Sequence, residues 1–476
     1  MESNLFSDHK VSTLVRIGLI CLVLFFLFFR LGTPPIYEYD EARGGINAIE
    51  MLENGHWRGL WFANAPDTVR NKPPLFIWVV AGSFHLFGYN TFGLRFPSAL
   101  ATLGSLIFIF LICRRFYDEK FAWLTILVLL SVKGFAGNHT GRTGDFDALL
   151  IFFLMSSTYF FLKYFSEKKE KDLSLFSLLL AGAFMTKGPA MAVLLPGQLI
   201  YLWVTKKWKI LNGKIVVRQF LLFLIFPAIW LLLINDDQAF TRLFAVDIAE
   251  RFSNPNFETP QAPSRFTFLF VVLDAYFNVW NYILFLLLGF VLLFPKRLNF
   301  QWDWEENPLL IYAFAVWLTL GIGLSLVATT HRWYFSPALP FVAISLVFLV
   351  RKIAWRKWIW GVFAAILIFT LGRRALEISI SDRQAPVFIQ QSDPILKNAE
   401  TVYWVGSIPA QRDLLYVYFA KPGLICLPSF NDLPALETGE VVVTPRYLLN
   451  EKLIAENEWE VLFKDESYWV LSPLER

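Results

Sequence analysis

The strongest constraint on this chain is a succession of long runs that carry no charge. Stretches 96–113, 188–205, 275–294, 307–330 and 333–350 are uncharged, and each approaches the roughly 20 residues that a helix needs to cross a bilayer. Shorter or weaker runs cover 121–132, 148–162, 174–186, 221–234 and 358–371. The first run, 11–29, lacks a small-residue cleavage site and ends at Phe28-Phe29-Arg30, so it reads as a retained span. Together these predict about eleven transmembrane helices. The apolar segment 73–88 is shorter and opens on Pro73-Pro74; it predicts a helix lying at the interface or dipping in. Composition agrees with lipid as the solvent. Only 17% of residues are charged, against about 25% in soluble chains, and 49 Phe with 18 Trp exceed what one water-soluble core hides.

The connections sort by charge. Lys10/Arg16, Arg114/Arg115/Lys120, Lys163/Lys168/Lys169/Lys171, Lys206/Lys207/Lys209/Lys214, Lys296/Arg297 and Arg351/Lys352/Arg356/Lys357 occupy alternate connections. The positive-inside rule makes these cytoplasmic, and with them the N-terminus. The others then face outward: 31–75, 137–147, the turn at Lys187, 235–265, and the turn at His331-Arg332. Residues 1–374 thus form the membrane part, including the outer loop 31–75. After Arg374 the pattern changes to short β-rich runs at 401–405, 441–444, 460–463 and 468–471, with a helix-like stretch at 413–419. An odd number of spans makes 375–476 a small extracytoplasmic α/β domain. Cys21, Cys113 and Cys426 are too scattered for a disulfide framework or a metal-type pair.

The outward connections collect the polar groups. The first contains Glu38-Tyr39-Asp40-Glu41-Ala42-Arg43, followed by Ile46, Ile49 and Leu52 at helical spacing and a stop at Asn54-Gly55. Asp40 stands where an N-cap would stand. Capping and a chemical role are compatible, because the positive end of a helix keeps a carboxylate ionised. Adjacent Asp40 and Glu41 project in different directions. Lys72 precedes Pro73-Pro74, either as a snorkelling lysine or as an anion contact. The second outer loop reads Gly141-Arg142-Thr143-Gly144-Asp145-Phe146-Asp147; its carboxylates could bind a metal, pair with Arg142 or cap the next span. Lys187 lies in a confined Met185-Thr186-Lys187-Gly188-Pro189 turn, and a buried cation needs an anion. Arg332 follows His331, which reads as a hydrogen-bonded interface residue because no second His lies at ligand spacing. Arg142 and Glu41 complete the candidate substrate-binding set. Such cations and carboxylates on one face could hold an anionic lipid head group.

No phosphate-cradling glycine loop or dinucleotide fingerprint is present, and no nucleic-acid partner is expected. A transferase at the outer face needs a donor that has already crossed the membrane, and a polyprenyl phosphate sugar meets that need. Its phosphate leaves already charged, so cations near the bridging oxygen do most of the work. A transporter or flippase of lipid-linked glycans is the alternative, although related halves and broken midplane helices, its usual marks, are missing from the pattern.

The sequence resembles the bacterial branch of the GT-C glycosyltransferases, the group containing protein O-mannosyltransferases and lipid A aminoarabinose transferases. The resemblance rests on Tyr39-Asp40-Glu41-Ala42-Arg43 with Gly55-His56-Trp57, Lys72-Pro73-Pro74-Leu75 with Leu86-Phe87-Gly88, Arg95-Phe96-Pro97-Ser98, Asp145-Phe146-Asp147, and Met185-Thr186-Lys187-Gly188-Pro189. It implies inverting transfer from a polyprenyl (undecaprenyl) phosphate sugar to a lipid A-like, glycan or protein acceptor. Asp40 would be the catalytic carboxylate and Asp145 a second acidic residue, while Lys72 and Lys187 would contact the lipid phosphate. Some relatives bind a divalent metal, to which Glu38, Asp40 and Asp145 could contribute here; no other cofactor is implied. Aminoarabinose transferases tend to show Lys-x-Pro-x-Tyr where this chain has Thr330-His331-Arg332-Trp333-Tyr334. Arg332 would then carry that lysine's charge.

Overall fold

The structure, a computed structural model, describes residues 11–67, 72–137, 139–234, 268–294, 307–327, 331–353, 357–380, 386–449 and 459–474. The expected outer loop 235–265 and the basic connection at Lys296 and Arg297 lie outside these residues. The chain forms two compact units, one of residues 1–29, 98–142 and 146–380, the other of 30–97, 143–145 and 381–476.

The first is the membrane unit. It contains α1 (Thr13–Phe28), most of α4 (Thr91–Phe116), α5 (Glu119–Leu130), α6 (Phe146–Glu167), α7 (Glu170–Lys187), α8 (Leu195–Val204) and α9 (Gly213–Leu233). It continues with α10 (Phe268–Phe277), α11 (Val279–Leu293), α12 (Pro308–Leu326), α13 (Leu339–Ile353) and α14 (Lys357–Ile380). Ser12, Asp118 and Asn212 start α1, α5 and α9 by accepting backbone N–H bonds, which satisfies donors that neither helix nor lipid could. Helix α13 is buried on nearly every side, whereas Leu232 of α9 and Ile368 and Phe369 of α14 stand exposed. Exposed apolar faces of that kind suit hydrocarbon. Inside, several polar groups pair: Tyr312 bonds Thr158 and Gln198, Trp280 donates to Ser131, and Trp317 donates to Ser345.

Among the described residues, seven helical stretches are long and apolar enough to cross a membrane. This is fewer than the eleven expected, for identifiable reasons. Helices α1, α5 and α11 are apolar but shorter than a full span. The runs 174–186 and 188–205, read as separate spans, belong to one helical stretch of 35 residues, Glu170–Val204. That stretch breaks at Gly188, whose φ of +56° ends α7, and Pro189 starts the 3-10 segment Gly188–Leu194 that leads into α8.

The second unit joins the first loop to the tail. It holds α2 (Asp40–Asn54), a two-stranded hairpin of β1 (Trp61–Phe62) and β2 (Ala65–Pro66), α3 (Leu75–Phe87) and the opening of α4. Helix α3 has 13 residues, about 20 Å, too short to span. The tail contributes α15 (Val387–Asn398), β3 (Thr401–Val405), α16 (Gln411–Ala420), β4 (Ile425–Leu427), β5 (Glu440–Pro445), β6 (Trp459–Lys464) and β7 (Tyr468–Pro473). These strands form one mixed sheet ordered β4-β3-β5-β7-β6. Strands β4, β3 and β5 are parallel, and β7 and β6 are antiparallel additions. The small mixed domain expected from the alternating tail is therefore present. Within the unit α16 packs on α2, and a Cβ at Gly45 would come within 2.6 Å of Leu415. Tyr418 of α16 hydrogen-bonds Glu50 of α2, and the Cys426 amide donates to Asn64.

Candidate functional site

In the loop-and-tail unit, the start of α2 is set by an unusual backbone. Tyr39 precedes the helix at φ +64°, a conformation that non-glycine residues adopt only when their surroundings impose it. The helix begins at Asp40, and Tyr39 is its N-cap without a side-chain capping bond. Asp40 is therefore not the cap that local sequence suggests; its carboxylate lies in the first turn, at the positive end of the helix dipole.

What imposes this geometry is Glu41. Its carboxylate is buried and accepts the Tyr37 amide at 2.8 Å, the Gly144 amide at 2.8 Å, and both Nε and Nη2 of Arg95 at 2.6 and 2.9 Å. Arg95 is fully buried and also donates to the carbonyls of Leu31, Pro34 and Pro35. One ion pair thus ties the approach to α2, the opening of α4 and the segment 143–145. Gly144 permits the approach, since a Cβ there would lie 2.7 Å from the Leu94 side chain and 3.1 Å from its carbonyl. The consequence is that buried Asp145 meets Asp40, each offering a carboxylate oxygen within 4.8 Å of the other.

A second ion pair braces the same helix. Arg43 grips Asp67 with two bonds of 2.8 and 2.6 Å, Asn47 adds a third at 3.1 Å, and the guanidinium lies 3.9 Å from the Phe62 ring centroid. Glu38 accepts the amides of Gln411 and Arg412 at 2.5 and 3.3 Å, so it caps α16. Lys72 is half-buried just ahead of α3. Asp40 and Asp145 offer the hard oxygen donors that a divalent cation prefers, while Glu38 is engaged with α16.

In the membrane unit, Lys187 at the end of α7 places Nζ 2.7 Å from both carboxylate oxygens of Asp147, in the first turn of α6. Both side chains are nearly buried, and Nζ lies 5.4 Å from the Tyr334 ring centroid. The anion that a confined lysine requires is thus Asp147. Arg142 donates to the Phe26, Leu27 and Phe29 carbonyls at the end of α1. Arg332 is exposed and opens the 3-10 segment Arg332–Ala338. His331 stacks on Trp333 at 4.2 Å between centroids, and His139 stacks on Trp333 at 4.0 Å.

The main residue that sequence reasoning passed over is Arg95. It opens an apolar run, and a full charge there is costly unless it is employed; that was the available signal. The partners of Arg43 and Lys187, 24 and 40 positions away, left no comparable trace.

Comparison with known proteins follows the same outline. Residues 71–232 match the family model for dolichyl-phosphate-mannose-protein mannosyltransferase. An undecaprenyl phosphate-alpha-4-amino-4-deoxy-L-arabinose arabinosyl transferase of Shewanella sediminis is 29% identical over 351 residues, covering 71% of this chain and 59% of that protein. An uncharacterised protein of Aquifex aeolicus is 27% identical over 329 residues, covering 68% and 61%. The chain thus spans about three fifths of the length of these relatives. The crystal structure of ArnT from Cupriavidus metallidurans bound to undecaprenyl phosphate superposes with a TM-score of 0.71 at 15% identity, over 97% of this chain and 98% of that one. The oligosaccharyltransferase of Archaeoglobus fulgidus gives 0.54 at 12% identity, over 97% and 73%. The tail domain is included in the ArnT match, and the shared architecture makes this a multi-pass membrane protein. Residues 71–232 thus resemble the dolichyl-phosphate-mannose-protein mannosyltransferase family, and the chain as a whole shares the fold of ArnT.

Proposed function

We propose that the protein is an inverting glycosyltransferase that takes a sugar from a polyprenyl phosphate carrier at the non-cytoplasmic face of the cytoplasmic membrane. The acceptor is a lipid A-like molecule, another glycan or a protein. The carrying observation is the Asp40–Asp145 carboxylate pair, which the buried Glu41–Arg95 ion pair sets in place. The name of the Shewanella relative and the ligand of the ArnT crystal, both undecaprenyl phosphate species, support the donor class.

Asp40 acts as the base that takes a proton from an acceptor hydroxyl as it attacks the anomeric carbon. Asp145 orients that hydroxyl. Lys72, Lys187 and Arg332 contact the carrier phosphate and stabilise charge as the glycosidic C–O bond breaks. Glu41 acts on Asp40 and Asp145 as a positioning residue through its bonds to Tyr37, Gly144 and Arg95. A divalent cation bound by Asp40 and Asp145 would add positive charge for a phosphate oxygen.

The sidedness in this reading puts the tail outside. Lysines flank the stretch Glu170–Val204 at both ends; two short crossings meeting at Gly188 would put Lys187 at the far face. Purified protein in liposomes should move label from a polyprenyl phosphate sugar to an added acceptor, and use of a nucleotide sugar alone would sink the proposal. In a cysteine-free background, a cysteine at exposed position Glu400 should react with an impermeant maleimide on intact spheroplasts. Reaction only after lysis would invert the orientation.

Lys187→Gln should raise the donor concentration for half-maximal rate by about tenfold or more, the cost of one charge-assisted hydrogen bond. The companion Lys187→Gln/Asp147→Asn variant, which leaves no unpaired buried carboxylate, should show the same loss. If the double variant recovers normal donor affinity, Lys187 serves only to neutralise Asp147.

A further inference from the structure

The tail domain carries a hollow of about 700 Å³, bordered by Ala410, Asp413, Arg446, Tyr447, Tyr468 and Trp469. Its position follows from the strand order. Parallel strands β3 and β5 are neighbours, yet the chain leaves β3 through α16 toward β4 on one side, while β5 is continued by β7 and β6 on the other. The connections therefore diverge outside the carboxyl ends of β3 and β5, leaving a crevice of the kind in which open α/β sheets bind ligands. The volume lies within the range of small-molecule sites, roughly 300–1,000 Å³.

The groups around it select the ligand class. The first turn of α16 borders the hollow, but its amides already donate to Glu38, so the usual anion seat at a helix start is taken. Asp413 and Glu466 add further negative charge, against Arg446 and Arg412. A phosphate would meet two carboxylates here and find the helix-start amides already taken by Glu38. A neutral polyhydroxylated ring would instead find donors and acceptors of both kinds. Asp413 is held by the Tyr468 hydroxyl at 3.0 Å and by Arg412 Nε at 3.2 Å, which aims a planar acceptor. Arg446 spends one N–H on the Asp465 carbonyl at 3.2 Å and presents a planar donor fork. Tyr447 offers an exposed aromatic ring, and the ring of Trp469 lines the hollow. Trp469 is 2% exposed and belongs to the core of the sheet, so the ring open to a ligand is that of Tyr447.

We propose that this hollow is a saccharide-binding site of the tail domain, holding a mono- or disaccharide against the Tyr447 ring with its hydroxyls on Asp413, Glu466 and Arg446. Binding here requires no turnover, so it is tested apart from the transferase reading. Full-length protein in a non-saccharide detergent is mixed with cellobiose or chitobiose at millimolar concentration, and saturation transfer to the sugar ring protons is recorded by NMR. Wild-type protein should give transfer to at least one of them. Arg446→Ala and Tyr447→Ala, both at exposed positions, should each reduce it on the order of fivefold, the equivalent of about one hydrogen bond. Excess inorganic phosphate should leave the signal intact. The proposal is overturned by absence of transfer to both disaccharides, by equal signals from the variants, or by full competition from phosphate, which would make the hollow an anion site.

Discussion

Replacing Asp40 by asparagine should lower sugar transfer from a labelled polyprenyl phosphate donor by about a thousandfold, within the range that a positioned general base contributes. Asparagine keeps the shape and the place in the first turn of α2 but cannot accept the acceptor's proton. The protein should still insert in the membrane and elute as wild type on gel filtration, because Asp40 is not the cap of α2 and the ion pair that orders this region belongs to Glu41 and Arg95. Asp145→Asn is the informative partner. If Asp145 only orients the acceptor, its loss should be smaller, and the double variant should cost less than the product of the two single losses. Full activity of Asp40→Asn would remove this carboxylate from the mechanism.

Arg95→Leu should produce the largest loss of stability. The substitution leaves Glu41 buried without its cation and frees the Leu31, Pro34 and Pro35 carbonyls. Breaking one side of a buried pair costs about 3–5 kcal/mol, a fall of roughly 10 °C in the unfolding midpoint. Thermal unfolding of the detergent-solubilised protein reads this directly. Arg95→Lys should recover only part of the loss, because a lysine cannot reproduce the planar fork that serves both carboxylate oxygens and the carbonyls together. Arg95→Leu combined with Glu41→Leu, which removes both charges, should be less damaging than Arg95→Leu alone. A single variant as stable as wild type would show that the Glu41–Arg95 pair does not brace the approach to α2.

Local patterns carried the secondary structure of this protein. The uncharged runs marked membrane helices because each run must meet lipid with its own side chains, and that requirement is written residue by residue. The same holds for the tail, where alternating 401–405 and 468–471 became β3 and β7. Strand β4 and helix α15 left weaker signals, being a strand of 3 residues and a helix interrupted by Pro394. The number of spans was less legible than their existence. Apolar length alone does not say whether a break such as Gly188 ends one span or bends a longer one.

Sequence alone also singled out Asp40, Asp145, Lys72 and Lys187, since charges bordering apolar runs are costly and therefore conspicuous. The employment of each charge was decided by tertiary structure. Glu41 found Arg95 and the Gly144 amide, Lys187 found Asp147, Glu38 found the start of α16, and Arg142 found the end of α1. These partners stand between 40 and 373 positions apart. An ion pair forms wherever packing brings opposite charges into a dry place. No local propensity records that meeting, so only the folded chain reveals it.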